Sequence, residues 1–185
     1  MSLLFYNRAE GKGEFYWITD GKATLQLLGS HTGWRKTWTH LVDCTIPSLL
    51  FYDAASGTAE FYHLSESANM QLLSSTTISK GWTHIVWLGQ ELDSDFPPSN
   101  VLFYNASNGI AQFYLIDAQA GMHLQTNTTF SQGWTHIEPF TFAHSWTLGL
   151  LFYNSSNGLT QVYNTDGRSI TQQVFTSTFS TGCLT

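Results

Sequence analysis

"LLFYDAASGTAEFY", residues Leu49 to Tyr62, holds the fold in miniature. Two runs rich in aromatic residues flank a polar centre that ends in Gly57, the pattern of two strands joined by a tight turn. The same stretch returns as LLFYNRAEGKGEFY from Leu3 to Tyr16, VLFYNASNGIAQFY from Val101 to Tyr114 and LLFYNSSNGLTQVY from Leu150 to Tyr163. Measured between Phe5, Phe51, Phe103 and Phe152, the steps are 46, 52 and 49 residues. Six residues after each Phe comes a glycine: Gly11, Gly57, Gly109 and Gly158. The Ser-Asn-Gly of 107–109 and 156–158 tolerates the positive φ that a hairpin turn demands.

Each unit continues in the same way. TLQLL at 24–28, NMQLL at 69–73, GMHLQ at 121–125 and SITQQVF at 169–175 read as further strands. A Trp-Thr-His string then closes the unit, as TWTHL at 37–41 and as GWTHI at 81–85 and 133–137. In the fourth unit Gly182-Cys183-Leu184-Thr185 takes its place. Pro47, Pro97, Pro98 and Pro139 all fall between such a string and the next Leu-Phe-Tyr run, where a missing N–H costs no ladder bond. No 3.6-residue periodicity is sustained anywhere. The expected fold is all-β: a four-bladed β-propeller in one domain, 1–185, from four-stranded repeats at 1–47, 48–99, 100–148 and 149–185. The innermost strand is either the Leu-Phe-Tyr run or the second aromatic run. The latter choice would close the ring by pairing the two chain ends. An open array is disfavoured, because it would leave two apolar blade faces uncovered.

Composition narrows the function classes. Charged residues are 11% of the chain, against roughly 25% in ordinary soluble proteins, while aromatics reach 15%. A formal charge of −6 repels phosphate backbones, so nucleic acid is not an expected partner. No run approaches the roughly 18 apolar residues of a membrane span, and membrane insertion is not expected. The N-terminal residues show no basic, then apolar, leader pattern. The expected location is thus either the cytoplasm without a leader or outside the cell with the leader removed. Cys44 and Cys183 are too few for a disulfide framework and lack zinc-ligand spacing; two buried thiols or one bond are both open. ELDSDF at 91–96 has no glycine-spaced calcium series. No metal or cofactor is expected.

The recurring Trp-Thr-His string supplies the candidate site. Alternate residues of a strand share a face, so Trp38 with His40, Trp82 with His84 and Trp134 with His136 point the same way. These pairs either fill the wedge between blades or form sugar platforms, since a pyranose offers an apolar C–H face and a rim of hydroxyls. Trp17, Trp34, Trp87 and Trp146 have no counterpart in every unit, so the core frame does not account for them. Trp34, beside Arg35, and Trp146, near His144, are the further ligand-binding candidates. Asn7, Asp53, Asn105 and Asn154 cap the turns. No Gly-x-Ser-x-Gly or Cys–His pattern is present, and the chain is not expected to be an enzyme.

The unit LLFYDAASGTAEFYHL…MQLL…GWTHI resembles the repeats of secreted and surface β-propeller modules and, more loosely, tachylectin-like propeller lectins. That resemblance implies a lectin with several weak glycan sites, whose partners are glycans or glycoproteins. The alternative is a hemopexin-like protein-interaction scaffold that uses the connections 86–100 and 137–149. A neutral, aromatic surface is also compatible with a homodimer.

Overall fold

The computed structural model describes residues 2–19, 24–44, 49–90, 99–142 and 148–181. The chain is all-β, a four-bladed β-propeller of antiparallel sheets. The first blade holds β1 (Ser2–Asn7), β2 (Lys12–Thr19) and β3 (Thr24–His31). The second holds β4 (His40–Asp43), β5 (Leu49–Tyr52), β6 (Thr58–Leu64) and β7 (Met70–Thr77). The third is β8 (His84–Gln90), β9 (Ser99–Tyr104), β10 (Ile110–Ile116) and β11 (Met122–Thr129). The fourth is β12 (His136–Thr141), β13 (Leu148–Tyr153), β14 (Leu159–Thr165) and β15 (Ile170–Thr178).

Neither candidate is the innermost strand. That place belongs to the strand headed by the histidine: β4, β8 and β12 are the strands through which successive blades meet, and β7, β11 and β15 are the exposed outer edges. Each sheet therefore draws its inner strand from the close of the preceding sequence unit. Among the described residues the first blade has three strands, β1 to β3.

The turn chemistry follows the sequence. Asp53 Oδ1 accepts from the N–H groups of Ala55 and Ser56 at 2.9 and 3.4 Å, and Asn7, Asn105 and Asn154 make matching bonds. The Gly57 N–H donates to the Asp53 carbonyl at 2.8 Å with φ +80°, in the left-handed region where a side chain is strained. Its own carbonyl accepts from the Ile78 N–H, and Gly11–Trp34, Gly109–Phe130 and Gly158–Phe179 repeat this link. Trp34 therefore does have counterparts, Ile78, Phe130 and Phe179, hidden from the sequence because their side chains differ.

Three hydrophobic clusters join the blades. Phe15, Trp38, Leu49, Phe51 and Ala68 bind the first to the second. Tyr52, Phe61, Trp82, Val101 and Phe103 bind the second to the third, and Tyr104, Phe113, Trp134, Leu150 and Phe152 bind the third to the fourth. Full burial of one such ring contributes roughly 1.5–3 kcal/mol, so each cluster outweighs any polar contact at its junction. Expected closure of the ring within the chain is not found among the described residues. Phe5, the counterpart of Phe51, is 51% exposed, whereas Phe51 is 1% exposed. Among the described residues the faces that carry Phe5 and Phe179 are exposed instead.

Candidate functional site

The Trp-Thr-His strings are placed by the inner strands. Trp38, Trp82 and Trp134 are 3%, 4% and 1% exposed, each edge-on to the Phe of its own blade at ring separations of 5.7–5.9 Å. A buried indole offers no face to a sugar, which removes these three from the role of platform and gives them the wedge between blades. Their histidines are held as well. His40 Nε2 donates to the Thr83 carbonyl and His84 Nε2 to the Thr135 carbonyl, both at 3.0 Å, linking neighbouring inner strands. The Nδ1 atoms meet Thr39 and Thr83 Oγ1 at 2.9 Å, and His136 Nδ1 meets Thr135 Oγ1 at 2.8 Å. Burial pushes the His40 imidazole below its ordinary 6.5, and the nearby His84 adds to this, although the Thr83 carbonyl opposes it. The His40 and His84 imidazoles are structural latches rather than free hydroxyl partners, while among the described residues His136 is held by Thr135 alone.

Trp34 lies half-buried against Phe51 at 4.8 Å, with Gly13 leaving room for its ring. The Arg35 guanidinium passes over Trp38 at 5.3 Å and reaches Glu60 at 3.0 Å, and Glu60 also accepts from the Tyr62 hydroxyl at 2.6 Å. Trp34 is thus part of the first junction rather than a presented ligand contact. Trp146 and His144 lie outside the described residues, as do ELDSDF at 91–96 and Cys183. Cys44 is buried. The connections assigned to a scaffold face begin inside strands, since 86–90 belongs to β8 and 137–141 to β12.

A different site emerges at the first junction. A groove of about 620 Å³ opens between the first and second blades, lined by Phe15, Trp17, Gln26, Leu28, Leu64, Ser65, Glu66 and Ala68. Phe15 and Ala68 are almost wholly buried in its floor, while Trp17 is 45% exposed at its wall. Register explains the wall: Trp17 pairs with Gln26 across β2 and β3, two residues beyond Phe15, so Phe15, Trp17 and Gln26 share a face. The opposite wall is the 65–69 turn. Its Ala68 has φ 60°, its ends are tied by Ser65 N–H to Asn69 C=O at 2.9 Å, and Ser65 Oγ accepts from Asn69 N–H at 3.0 Å. His31 Nε2 donates to the Ala68 carbonyl at 2.8 Å, pinning this turn to the first blade, and Gly29 leaves space for the Ala68 methyl. The groove is therefore preformed by rigid elements.

At the groove's rim the Trp17 position varies from blade to blade, whereas its cross-strand partner is Gln in three of the four. The Trp17–Gln26 pair becomes His63–Gln71, Leu115–His123 and Asn164–Gln172 in the successive blades, although Phe15 stays aromatic as Phe61 and Phe113. A rim that varies over a fixed frame is where ligand contacts are placed without cost to the fold. Trp17 stands out in the sequence, but no local signal shows the register that brings Gln26 and the 65–68 turn beside it. Among the described residues no group of three or more His, Cys, Asp or Glu is placed to hold a metal ion.

No family model matches the sequence, and no curated protein does. Solved structures match by fold. The periplasmic gluconolactonase of Pseudomonas aeruginosa aligns with TM-score 0.60 at 12% identity, over 97% of this chain and 52% of that one. A Bacteroides fragilis protein named a candidate 6-phosphogluconolactonase gives 0.59 at 10% identity, over 98% and 54%. Saccharomyces cerevisiae Sqt1 gives 0.54 at 13% identity, over 94% and 46%. The chain spans about half the length of each of these structures. The matches support a β-propeller. They also correct the expectation that the chain is not an enzyme: two proteins with this architecture carry lactonase names, so missing nucleophile motifs in the repeated strings do not remove catalysis from the fold.

Proposed function

We propose that the chain binds carbohydrate, and that the groove between the first two blades is the site. The observation that carries this is the exposed Trp17 indole above a buried apolar floor, flanked by the Gln26 amide and the Glu66 carboxylate. An indole stacks on the C–H face of a pyranose. A carboxylate accepts from two adjacent hydroxyls, and an amide both donates and accepts, so the polar rim suits a neutral polyol better than an anion. Names of two fold neighbours, each a lactonase of a gluconate-type compound, put sugar-derived ligands on the same architecture. A lectin resembling the tachylectin-like propellers, with glycans or glycoproteins as partners, is the reading favoured by this groove. A single contact of this kind gives roughly millimolar affinity, about 4 kcal/mol.

A glycan array with the 185-residue chain, followed by ligand-observed NMR with any hit, tests the proposal. Trp17→Ala is expected to weaken binding tenfold or more while leaving the melting temperature within a degree or two. Unchanged binding in that variant removes the site, and an array without hits removes the function. The same spectra report whether a bound sugar or sugar lactone is converted, so turnover is read alongside binding.

A further inference from the structure

The two ends of the array present opposite halves of one junction. In the second, third and fourth blades the front face carries a Phe–Tyr pair, Phe51–Tyr62, Phe103–Tyr114 and Phe152–Tyr163, with ring centroids 5.0, 5.4 and 5.3 Å apart. Each pair is covered by the blade before it, and all three phenylalanines are at most 1% exposed. Phe5–Tyr16 in the first blade is edge-on at 5.5 Å, as are the pairs of the third and fourth blades, yet Phe5 is 51% exposed. Its front is shaped for a blade that is not there among the described residues.

The far end is the matching half. Trp34, Ile78 and Phe130 each rest half-buried against the cluster at the following junction. Phe179 occupies the same repeat position and is 52% exposed, with Phe175 stacked on it at 6.2 Å. On this back face Val162 and Phe175 exchange the sizes found at Phe61 with Ser74 and at Phe113 with Thr126. An aromatic ring is kept at that level of the face. His136, third in the series of inner-strand latches, has no acceptor for Nε2 among the described residues, whereas His40 and His84 each find one on the next blade.

We infer that a second copy of this chain covers both faces, the back of each fourth blade against the front of the other's first blade, so that eight blades close one ring. Front and back match through the Phe5–Tyr16 pair and Phe179, which repeat residues that meet at three junctions, while the wedge Trp and the Thr carbonyl of those junctions have no counterpart among the described residues of the first blade. Four blades superpose on about half of each fold neighbour's chain, so in proteins of this architecture such blades continue into further chain. Two identical head-to-tail junctions related by a two-fold axis leave no free end, whereas a head-to-tail contact that failed to close would grow into filaments. Uncovered apolar faces of this kind mark interaction surfaces in soluble proteins.

Native mass spectrometry and light scattering on the 185-residue chain test this. The expected mass is twice the 20.8 kDa of one chain. Phe5→Glu alone and Phe179→Glu alone should each shift the chain to monomer, with circular dichroism unchanged because both side chains are exposed in the single copy. Mixing the two variants should restore a dimer through the one junction that keeps both rings. A wild-type monomer at micromolar concentration, as expected if other blades of a longer polypeptide cover these faces, overturns the proposal. So does an open-ended series of masses, or a dimer broken by Phe5→Glu and untouched by Phe179→Glu, which would mean a head-to-head contact.

Discussion

His40 Nε2 stands 3.0 Å from the carbonyl oxygen of Thr83, and this bond ties the inner strand of the second blade to the entrance of the third. Burial holds the imidazole below its ordinary 6.5, so the folded protein prefers it neutral. The unfolded chain takes up that proton at higher pH than the folded chain does. Stability from this group is therefore complete above about pH 7.5 and falls as pH drops through 6.5 towards the depressed folded value, below which it levels off. Urea midpoints measured from about pH 8 to pH 5 should decline over that window. In His40→Gln the decline should be shallower. An identical slope in that variant would remove His40 as the cause.

Trp82 fills the wedge between the second and third blades, and replacing it should damage stability rather than ligand binding. Trp82→Ala leaves a cavity where an almost fully buried indole stood, and large-to-small changes of this sort cost about 3–5 kcal/mol. Denaturant unfolding gives the value. A loss below about 1 kcal/mol would contradict the wedge assignment.

Gly57, like its counterparts Gly11, Gly109 and Gly158, stands at a turn position that cannot accept a side chain without strain. Its φ is +80°, and a Cβ there would clash with the Ile78 carbonyl oxygen, whose own residue's N–H donates to the Gly57 carbonyl. Gly57→Ala should cost about 2 kcal/mol or more from left-handed strain and the displaced carbonyl together. Thermal unfolding should show a lower midpoint. Gly33→Ala provides the comparison, since its φ is also positive but its surroundings are open, and it should cost less.

Glu60 illustrates what the repeats tolerate. Its carboxylate accepts from the Tyr62 hydroxyl, and the same bond is made by Gln112 to Tyr114 and by Gln161 to Tyr163, at 3.0 and 2.7 Å. Glu60→Gln therefore keeps the hydroxyl bond and loses only the ion pair with the half-exposed Arg35, worth within about 1 kcal/mol. Glu60→Leu, which strands the tyrosine hydroxyl, should lose more. Equal midpoints for the two variants would show that the hydroxyl bond contributes nothing.

The strands, the turns and the fourfold repeat were legible because each depends on local chemistry: aromatic and β-branched runs, an Asx cap, and a glycine at a fixed spacing. The pairing of sheets was not. His40 and Leu41 follow the first unit in sequence yet pair with Tyr52 and Phe51 of the second, and no local signal distinguishes the last strand of one blade from the first of the next. The candidate site was obscured for a related reason. Phe15, Gln26, Glu66 and Trp17 come from two strands and a turn, so their meeting rests on register and on the His31–Ala68 bond. Recurrence drew attention to Trp38, Trp82 and Trp134, yet recurrence in a repeated core signals packing. Among the described residues the exposed indole is Trp17, at a position that differs from blade to blade.

Because the rear of every module and the face of its successor come from one template, an in-frame duplication of a whole unit creates no unfamiliar contact. Such a chain can gain or lose modules by recombination between its own near-identical segments, and each gain adds one more rim whose side chains are free to diversify. Growth in number and growth in specificity are in that way separable steps.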